Sequence, residues 1–147
     1  MNEIILRKAT IDDLELTFTW RNAIENRRYC LASSELIAKE THINWFNKIL
    51  VDKSRYLLIA EIDNQPIGVL RYDIINNAAE ISIYLKPGYT GKGIGTSLIE
   101  IGTKWLKNSE PNVNRLIANI AIENIASQKA FSKAGYIAHH ICFEKNI

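Results

Sequence analysis

The sequence predicts an α/β fold, a mixed sheet with a central antiparallel meander, on three observations. Apolar runs of period two alternate with helical stripes of period 3.6 in the order β-α-α-β-β-β-α-β-α-β. Two tight turns, Asp63-Asn64-Gln65 and Asn76-Asn77, separate three consecutive strand-like runs, as hairpins require. A glycine-rich turn, Gly88 to Gly95, then joins a strand directly to a helix. A length of 147 residues suits a single domain over 1–147 with its own core.

Ile4 to Lys8 reads as the first strand. Thr10-Ile11-Asp12-Asp13 starts a helix to about Ala23 in the manner of a capping box, with Ile11, Leu14, Phe18 and, just beyond, Ile24 expected to face inward. A second helix covers Lys39 to Leu50, with Ile43, Phe46, Ile49 and Leu50 inward. Arg55 to Ile62, Pro66 to Ile75 and Ala79 to Leu85 form the meander. Gly91 to Lys107 follows as a helix, Arg115 to Ile122 as a strand, and Ile125 to Ala134 as a helix with Gly135 at its C′ position. Tyr136 to Lys145 is expected to close the sheet as a last strand.

Composition removes several function classes. A chain that is 47% hydrophobic and 23% charged is ordinary for a soluble globular protein. A net charge of +2 is too small to point to nucleic acid. No apolar stretch approaches the roughly 18 residues of a membrane span, and Met1 to Arg7 lacks the basic start and apolar run of a signal peptide. The cytoplasm is therefore the expected compartment, with no membrane partner. Cys30 and Cys142 lie far apart, outside metal-ligand spacing, and His139 and His140 would face opposite sides of a strand. No metal is expected.

The chemistry starts at Gly91-Lys92-Gly93-Ile94-Gly95-Thr96. Alternating glycines let main chain approach a bulky anion. The N–H groups opening the next helix have no intrahelical acceptors, and the helix dipole adds positive potential. The result is a main-chain cradle for a diphosphate. A P-loop needs Gly-x-x-x-x-Gly-Lys-Ser/Thr, but Gly93 follows Gly91-Lys92 and Lys86 stands where the first glycine belongs. A dinucleotide fingerprint opens a βαβ unit, whereas this turn follows several strands, more than halfway along the chain. A second motif runs from Glu123 to Tyr136. Asn124 is placed to cap a helix, Ala126, Ala130 and Phe131 share helical spacing, and Gly135 ends it.

Together the two motifs resemble the acyl-CoA-binding half of the GNAT superfamily of N-acetyltransferases. Its first motif is Arg/Gln-x-x-Gly-x-Gly/Ala, and its second is an Asn-x-x-Ser/Ala helix ending in Gly-Phe/Tyr. The element order fits over essentially the whole chain. The resemblance implies a mostly antiparallel α+β sheet with helices on both faces. It also implies acetyl-CoA as cosubstrate, attacked directly by a primary amine in a ternary complex. Ile83, Tyr84 and Leu85 would pair with the pantetheine arm where their strand splays from the next parallel one. Thr90, Gly91, Lys92, Gly93, Ile94, Gly95 and Thr96 would hold the diphosphate, and Asn124, Ser127 and Phe131 would line the far wall. Thr90 departs from the usual Arg or Gln, so backbone donors carry more of the cradle.

For catalysis the resemblance places Glu80 as the base, a solvated strand-start glutamate being the plainer reading. It sets the oxyanion donor at a bulge of the fourth strand, near Tyr84 and Leu85. Asn119 stands where some relatives keep an acidic base; it cannot take a proton at neutral pH and is left to orient. Many relatives carry a tyrosine where this chain has Phe131, so Tyr84, Tyr136 or water protonates the leaving thiolate. Glu80, Ser82 and Tyr84 share a strand face until the bulge changes parity.

For the acceptor, Trp20-Arg21-Asn22, Asn26-Arg27-Arg28 and His42-x-x-Trp45-Phe46 resemble the pattern of PseH-like enzymes, which acetylate nucleotide-linked aminosugars. The resemblance implies Trp20, Arg21, Asn22, Arg27, His42 and Trp45 as substrate-binding residues. Arginine forks suit a diphosphate, indole and imidazole faces stack on base or sugar, and asparagine reads hydroxyls. Plainer readings stand beside these: Arg27 as a solvated helix end, Trp20 and Trp45 as core or groove wall, His42 as a surface or capping residue. The same motifs also suit N-terminal acetyltransferases of ribosomal proteins and non-catalytic acyl-CoA sensors. A homodimer is compatible with all three.

Overall fold

Runs rich in β-branched and aromatic residues build the centre of the sheet. In the computed structural model, which describes residues 2–147, β2 (Arg55–Ile62), β3 (Gln65–Ile75) and β4 (Ala78–Leu85) form the antiparallel meander. The strand β1 (Ile4–Lys8) pairs antiparallel with β2, and β5 (Arg115–Ile117) pairs parallel with β4, giving the order β1-β2-β3-β4-β5. Both hairpin turns use left-handed residues, Asp63 and Asn64 in the first and Asn76 in the second. Asn and Asp tolerate that region best among side chains with a Cβ.

Helices cover the two faces of the sheet. On one side lie α1 (Leu14–Asn22), entered through a 3-10 turn at Ile11–Asp13, α2 (Ile24–Arg27) and α3 (Lys39–Val51). Trp20, Phe46 and Ile49 pack there against Leu57, Ile59 and Val69. On the other side α4 (Ile94–Ser109) and α5 (Ile125–Lys133) bring Leu98, Ile99, Leu106 and Phe131 onto Leu58, Leu70, Tyr72 and Ile81. Leu57, Leu58 and Ile59 thus alternate between two cores, which is why β2 reads as a continuous apolar run.

The β1–α1 corner is clamped by charge. Arg7 donates to both carboxylate oxygens of Asp13 at 2.7 and 2.8 Å, and its Nε donates to Glu61 at 2.7 Å. Thr10 N–H donates to Asp13 at 2.8 Å, closing the expected capping box. Burial alone would raise the Asp13 carboxyl, but the Arg7 guanidinium and Thr10 hold it below the usual carboxylate range.

Several expectations are corrected. The first helix breaks at Ala23, whose ψ is 136°, so α2 becomes a separate turn. Helix α4 begins at Ile94 rather than Gly91 because Gly91 and Gly93 both take φ of 77°. The strand from Arg115 ends at Ile117, not Ile122, because its partner β4 leaves it. Tyr136 to Lys145 forms no strand; three-residue β5 offers only a short edge, and residues 137–147 are exposed. The bulge expected in β4 is also absent. The β3–β4 register runs unbroken from Gly68↔Leu85 to Ile75↔Ala78, and the irregularity lies instead between β2 and β3 at Ala60/Glu61. There Pro66 opposes Glu61 and has no N–H to donate to a ladder.

At Gly102 α4 packs close against the sheet. A Cβ at that position would lie 2.4 Å from Tyr72 Oη and 2.7 Å from Leu70 Cδ2. Gly102→Ala is therefore expected to cost about 1–3 kcal/mol through overpacking, read as a lower urea midpoint at unchanged slope. An unchanged midpoint would mean that α4 can shift outward freely.

Candidate functional site

The β4–β5 ladder pairs Ala78↔Arg115, Ala79↔Leu116 and Glu80↔Ile117, and then stops. Beyond it the two segments diverge around a cavity of about 450 Å³, lined by Glu80 to Tyr84 on one side and Ala118 to Ala121 on the other. Residues of α1–α3 and the loop after α2 form one wall, and Asn124, Ser127 and Phe131 form the opposite one.

Ladder parity decides what faces this gap. Lys86 N–H donates to Ile67 O at 2.9 Å on the β3 side, and Asn114 N–H donates to Asn77 O at 2.9 Å on the β5 side. Even-numbered residues of β4 therefore turn their peptide groups to β3, while Ile81, Ile83 and Leu85 turn theirs to the gap. Ile83 presents an N–H and a C=O with no strand opposite, an edge suited to an extended amide ligand. The register also bears on which N–H is free near Tyr84 and Leu85, where the oxyanion donor is expected. With no bulge to change parity, Tyr84 N–H belongs to the β3 ladder, and the gap-facing donors are those of Ile83 and Leu85.

At the far end of β4 the glycine turn is open on its outer side. Thr90, Gly91, Lys92 and Gly93 are exposed, and no atom lies within 4 Å of where a Cβ would stand on Gly91 or Gly93. Gly93 is the N-cap of α4, without a side-chain cap. The N–H of Ser97 reaches Gly93 O at 3.3 Å, so those of Ile94, Gly95 and Thr96, one turn earlier, precede the first intrahelical acceptor. Asn124 caps α5, its Oδ1 accepting Ser127 N–H at 3.2 Å. A bare strand edge leading to a glycine turn and a helix N-terminus fits an acyl-CoA, whose arm carries amides and whose far end carries a diphosphate.

Glu80 stands where the ladder ends, and its Oε1 accepts from Asn119 Nδ2 at 3.1 Å. The structure thus brings these two sequence-predicted residues together, and among the described residues Glu80 is the one carboxylate lining the cavity. Tyr84 lines the same space, with Oη 3.4 Å from Thr17 O; burial pushes its phenol above the ordinary value, against the pull of the Arg21 and Arg71 charges. Tyr136 is not among the lining residues. It packs edge-on against Phe131 at 4.9 Å, and burial pushes it up to about 12.

Of the residues expected to bind the acceptor, Arg21, His42 and Trp45 line the cavity. His42 is buried beside the rings of Phe18, Trp45 and Phe46, with Nε2 3.0 Å from Thr17 Oγ1. Burial lowers its pKa and favours neutral imidazole. Arg21 Nη2 donates to Cys30 Sγ at 3.2 Å and Ser33 O at 3.3 Å, while its buried Nη1 has no acceptor. Trp20, Asn22 and Arg27 lie behind the cavity wall. Trp20 packs in the core. Asn22 donates to Ile37 O at 2.9 Å and accepts from Ile37 N–H at 2.8 Å, and Arg27 donates to Asn22 O and Ser34 O, each at 3.1 Å. These side chains shape the loop that roofs the cavity.

Asn26, part of the Asn26-Arg27-Arg28 stretch, and Arg71, which the sequence reading does not reach, also line the cavity. Period two on β3 contains the signal for Arg71, which sits opposite Ser82 on the face shared with Glu80 and Tyr84. The local pattern includes Asn26 but not its contact with Leu85 O, which lies 59 residues away in sequence.

Residues 3–137 match the model of the acetyltransferase (GNAT) domain family. The putative phosphinothricin acetyltransferase YwnH of Bacillus subtilis is 29% identical over 138 residues, covering 89% of this chain and 82% of that protein. Acetyltransferase PseH of Campylobacter jejuni is 25% identical over 142 residues, covering 91% of this chain and 87% of that one. Among solved structures, spermidine N-acetyltransferase from Vibrio cholerae, in complex with CoA and spermine, shares the fold. Its TM-score is 0.82 at 19% identity, covering 93% of this chain and 82% of that one. With the family match running over nearly its whole length, on a sheet split beside a glycine turn, the chain belongs to the GNAT family of acetyltransferases.

Proposed function

We propose that the protein transfers the acetyl group of acetyl-CoA to the primary amine of a small acceptor that also carries an anionic group, a nucleotide-linked aminosugar being the acceptor its cavity suits best. The observation that carries this reading is the unpaired edge of β4 at Ile83, opening beside Glu80 and leading to the glycine turn. Bound there, acetyl-CoA supplies an activated thioester. Ile83 N–H is placed to donate to the carbonyl oxygen as negative charge develops on it. Glu80, oriented by Asn119, takes the proton of the attacking ammonium. Tyr84, a phenol on the split strand itself, returns a proton to the leaving thiolate.

Arg21 and Arg71, the latter paired through Nε with Asp73 at 3.2 Å, bring positive charge to the cavity lining, and Trp45 and Tyr29 are among its aromatic faces. Two guanidinium groups suit phosphate or carboxylate oxygens, and the rings suit a base or sugar. The resemblance to PseH supports a sugar nucleotide; the one to YwnH supports a smaller acidic amine, which would meet the same two arginines. An N-terminal peptide acceptor has less behind it, because Asp13 is engaged by Arg7 and no acidic residue but Glu80 lines the cavity.

Three outcomes follow. Gly93→Val forces a side chain onto a φ of 77°, costing about 1–2 kcal/mol of strain and shielding the α4 N-terminus. Calorimetry should find CoA affinity reduced at least tenfold, and retained affinity would remove the cradle. Glu80→Gln should lower kcat by about a hundredfold and abolish the acid limb of the pH–rate profile while leaving acetyl-CoA binding intact; an unchanged profile would assign deprotonation elsewhere. Arg21→Ala should raise KM about tenfold for nucleotide aminosugars, with the acetyl-CoA KM unchanged. A change confined to the acetyl-CoA constant would exclude Arg21 from the acceptor side.

A further inference from the structure

The carboxamide of Asn26, on α2, reaches the open edge of β4. Its Nδ2 donates to Trp20 O at 2.7 Å and to Leu85 O at 2.9 Å. Trp20 O belongs to the C-terminal turn of α1, where carbonyls lack full intrahelical partners. Both amide protons are thereby committed, which settles the orientation of the group. A flip would set Oδ1 against two carbonyl oxygens. Oδ1 therefore faces away from Trp20 and Leu85. It meets no donor among the described residues and is not among their sealed, unpartnered polar atoms. Asn26 itself lines the cavity.

Leu85 O is one of the gap-facing groups of β4, on the same edge as Ile81 and Ile83. The β5 ladder has already ended at Glu80, and the partner Leu85 O finds is a side chain. A carboxamide that donates to the last carbonyl of an edge, and offers its own oxygen beside it, acts as the next peptide group of that edge. A ligand pairing along β4 towards the glycine turn would find Ile83 N–H and C=O first. It would then find the Asn26 oxygen in place of a fully free Leu85 carbonyl.

Resting on the coenzyme reading of the cavity given above, we propose that Asn26 is a coenzyme-binding residue, its Oδ1 accepting an amide N–H of the pantetheine arm. Two recognition elements are then separate along the groove. The glycine turn and α4 hold the diphosphate, and the Ile83–Asn26 edge holds the arm. Because Asn26 also ties α1 to β4 through Trp20 O and Leu85 O, the arm is read by the residue that joins the acceptor-side helices to the split strand.

Calorimetry on the full chain with CoA and with 3′-phospho-ADP, which has the diphosphate and adenosine but no arm, tests this. Asn26→Ala should bind CoA about five- to tenfold more weakly, the scale of one lost neutral hydrogen bond, with 3′-phospho-ADP affinity unchanged. Equal CoA affinity in variant and wild type overturns the assignment. So does an equal loss for both ligands, which would report a disturbed β4–α4 turn, or a change confined to acceptor KM, which would place Oδ1 on the amine. Should the alanine variant fail to fold, the wild-type protein decides by NMR. CoA, but not 3′-phospho-ADP, should shift the Asn26 side-chain amide resonances, and resonances that stay in place with CoA overturn the proposal. Wild-type protein that binds neither ligand overturns the coenzyme reading itself, a result distinct from the loss of Asn26's role alone.

Discussion

The end of the β4–β5 ladder at Glu80–Ile117 is the constraint on which the rest of the molecule depends. Backbone N–H and C=O groups left unpaired away from water cost about 1–3 kcal/mol each, so a sheet rarely opens in its interior without a replacement partner. Here the opening is a cavity wide enough for solvent or a ligand, which keeps the Ile83 peptide groups satisfied until something extended takes the place of a strand. The same divergence sets β5 at three residues and leaves the chain after Ile117 to line the opposite wall.

Each face of the sheet serves one side of that opening. Helices α4 and α5 pack tightly on their face, with Gly102 against Tyr72 and Gly95 near Ala130, and this holds the α4 N-terminus and the Asn124 cap in place. On the other face α1–α3 and the connecting loop are joined by side chains as much as by packing. Asn22 holds Ile37, Arg27 holds Ser34, and Arg21 reaches Cys30 and Ser33. Tethers of this kind shape a wall without adding a strand, in a segment where sequence changes do not disturb the sheet.

Charge is divided within the cavity in a way that suits amine acylation. Among the described residues the one lining carboxylate is Glu80, where the β4–β5 ladder ends, and the lining guanidinium groups are Arg21 and Arg71. His42 sits among aromatic rings with a lowered pKa, so it contributes shape and a polar ring nitrogen rather than a third positive charge. The acceptor proposed above, bearing its own anionic group, would be attracted without saturating the proposed base.

Much was legible in the sequence because it depends on neighbours along the chain. The meander, its turns, the Thr10–Asp13 capping box, the glycine turn and the Asn124 cap are governed by φ preferences, period and capping within a few residues, and they stand where expected. The pairing of Glu80 with Asn119, the burial of Trp20, and the diversion of Asn22 and Arg27 to the loop backbone were settled by tertiary structure. So were the absent β4 bulge, the short β5 and the missing last strand. Each of these turns on which group lies across space from which other. A residue's periodicity says which way it faces, but only the register between strands and the angle between helices say what it meets there.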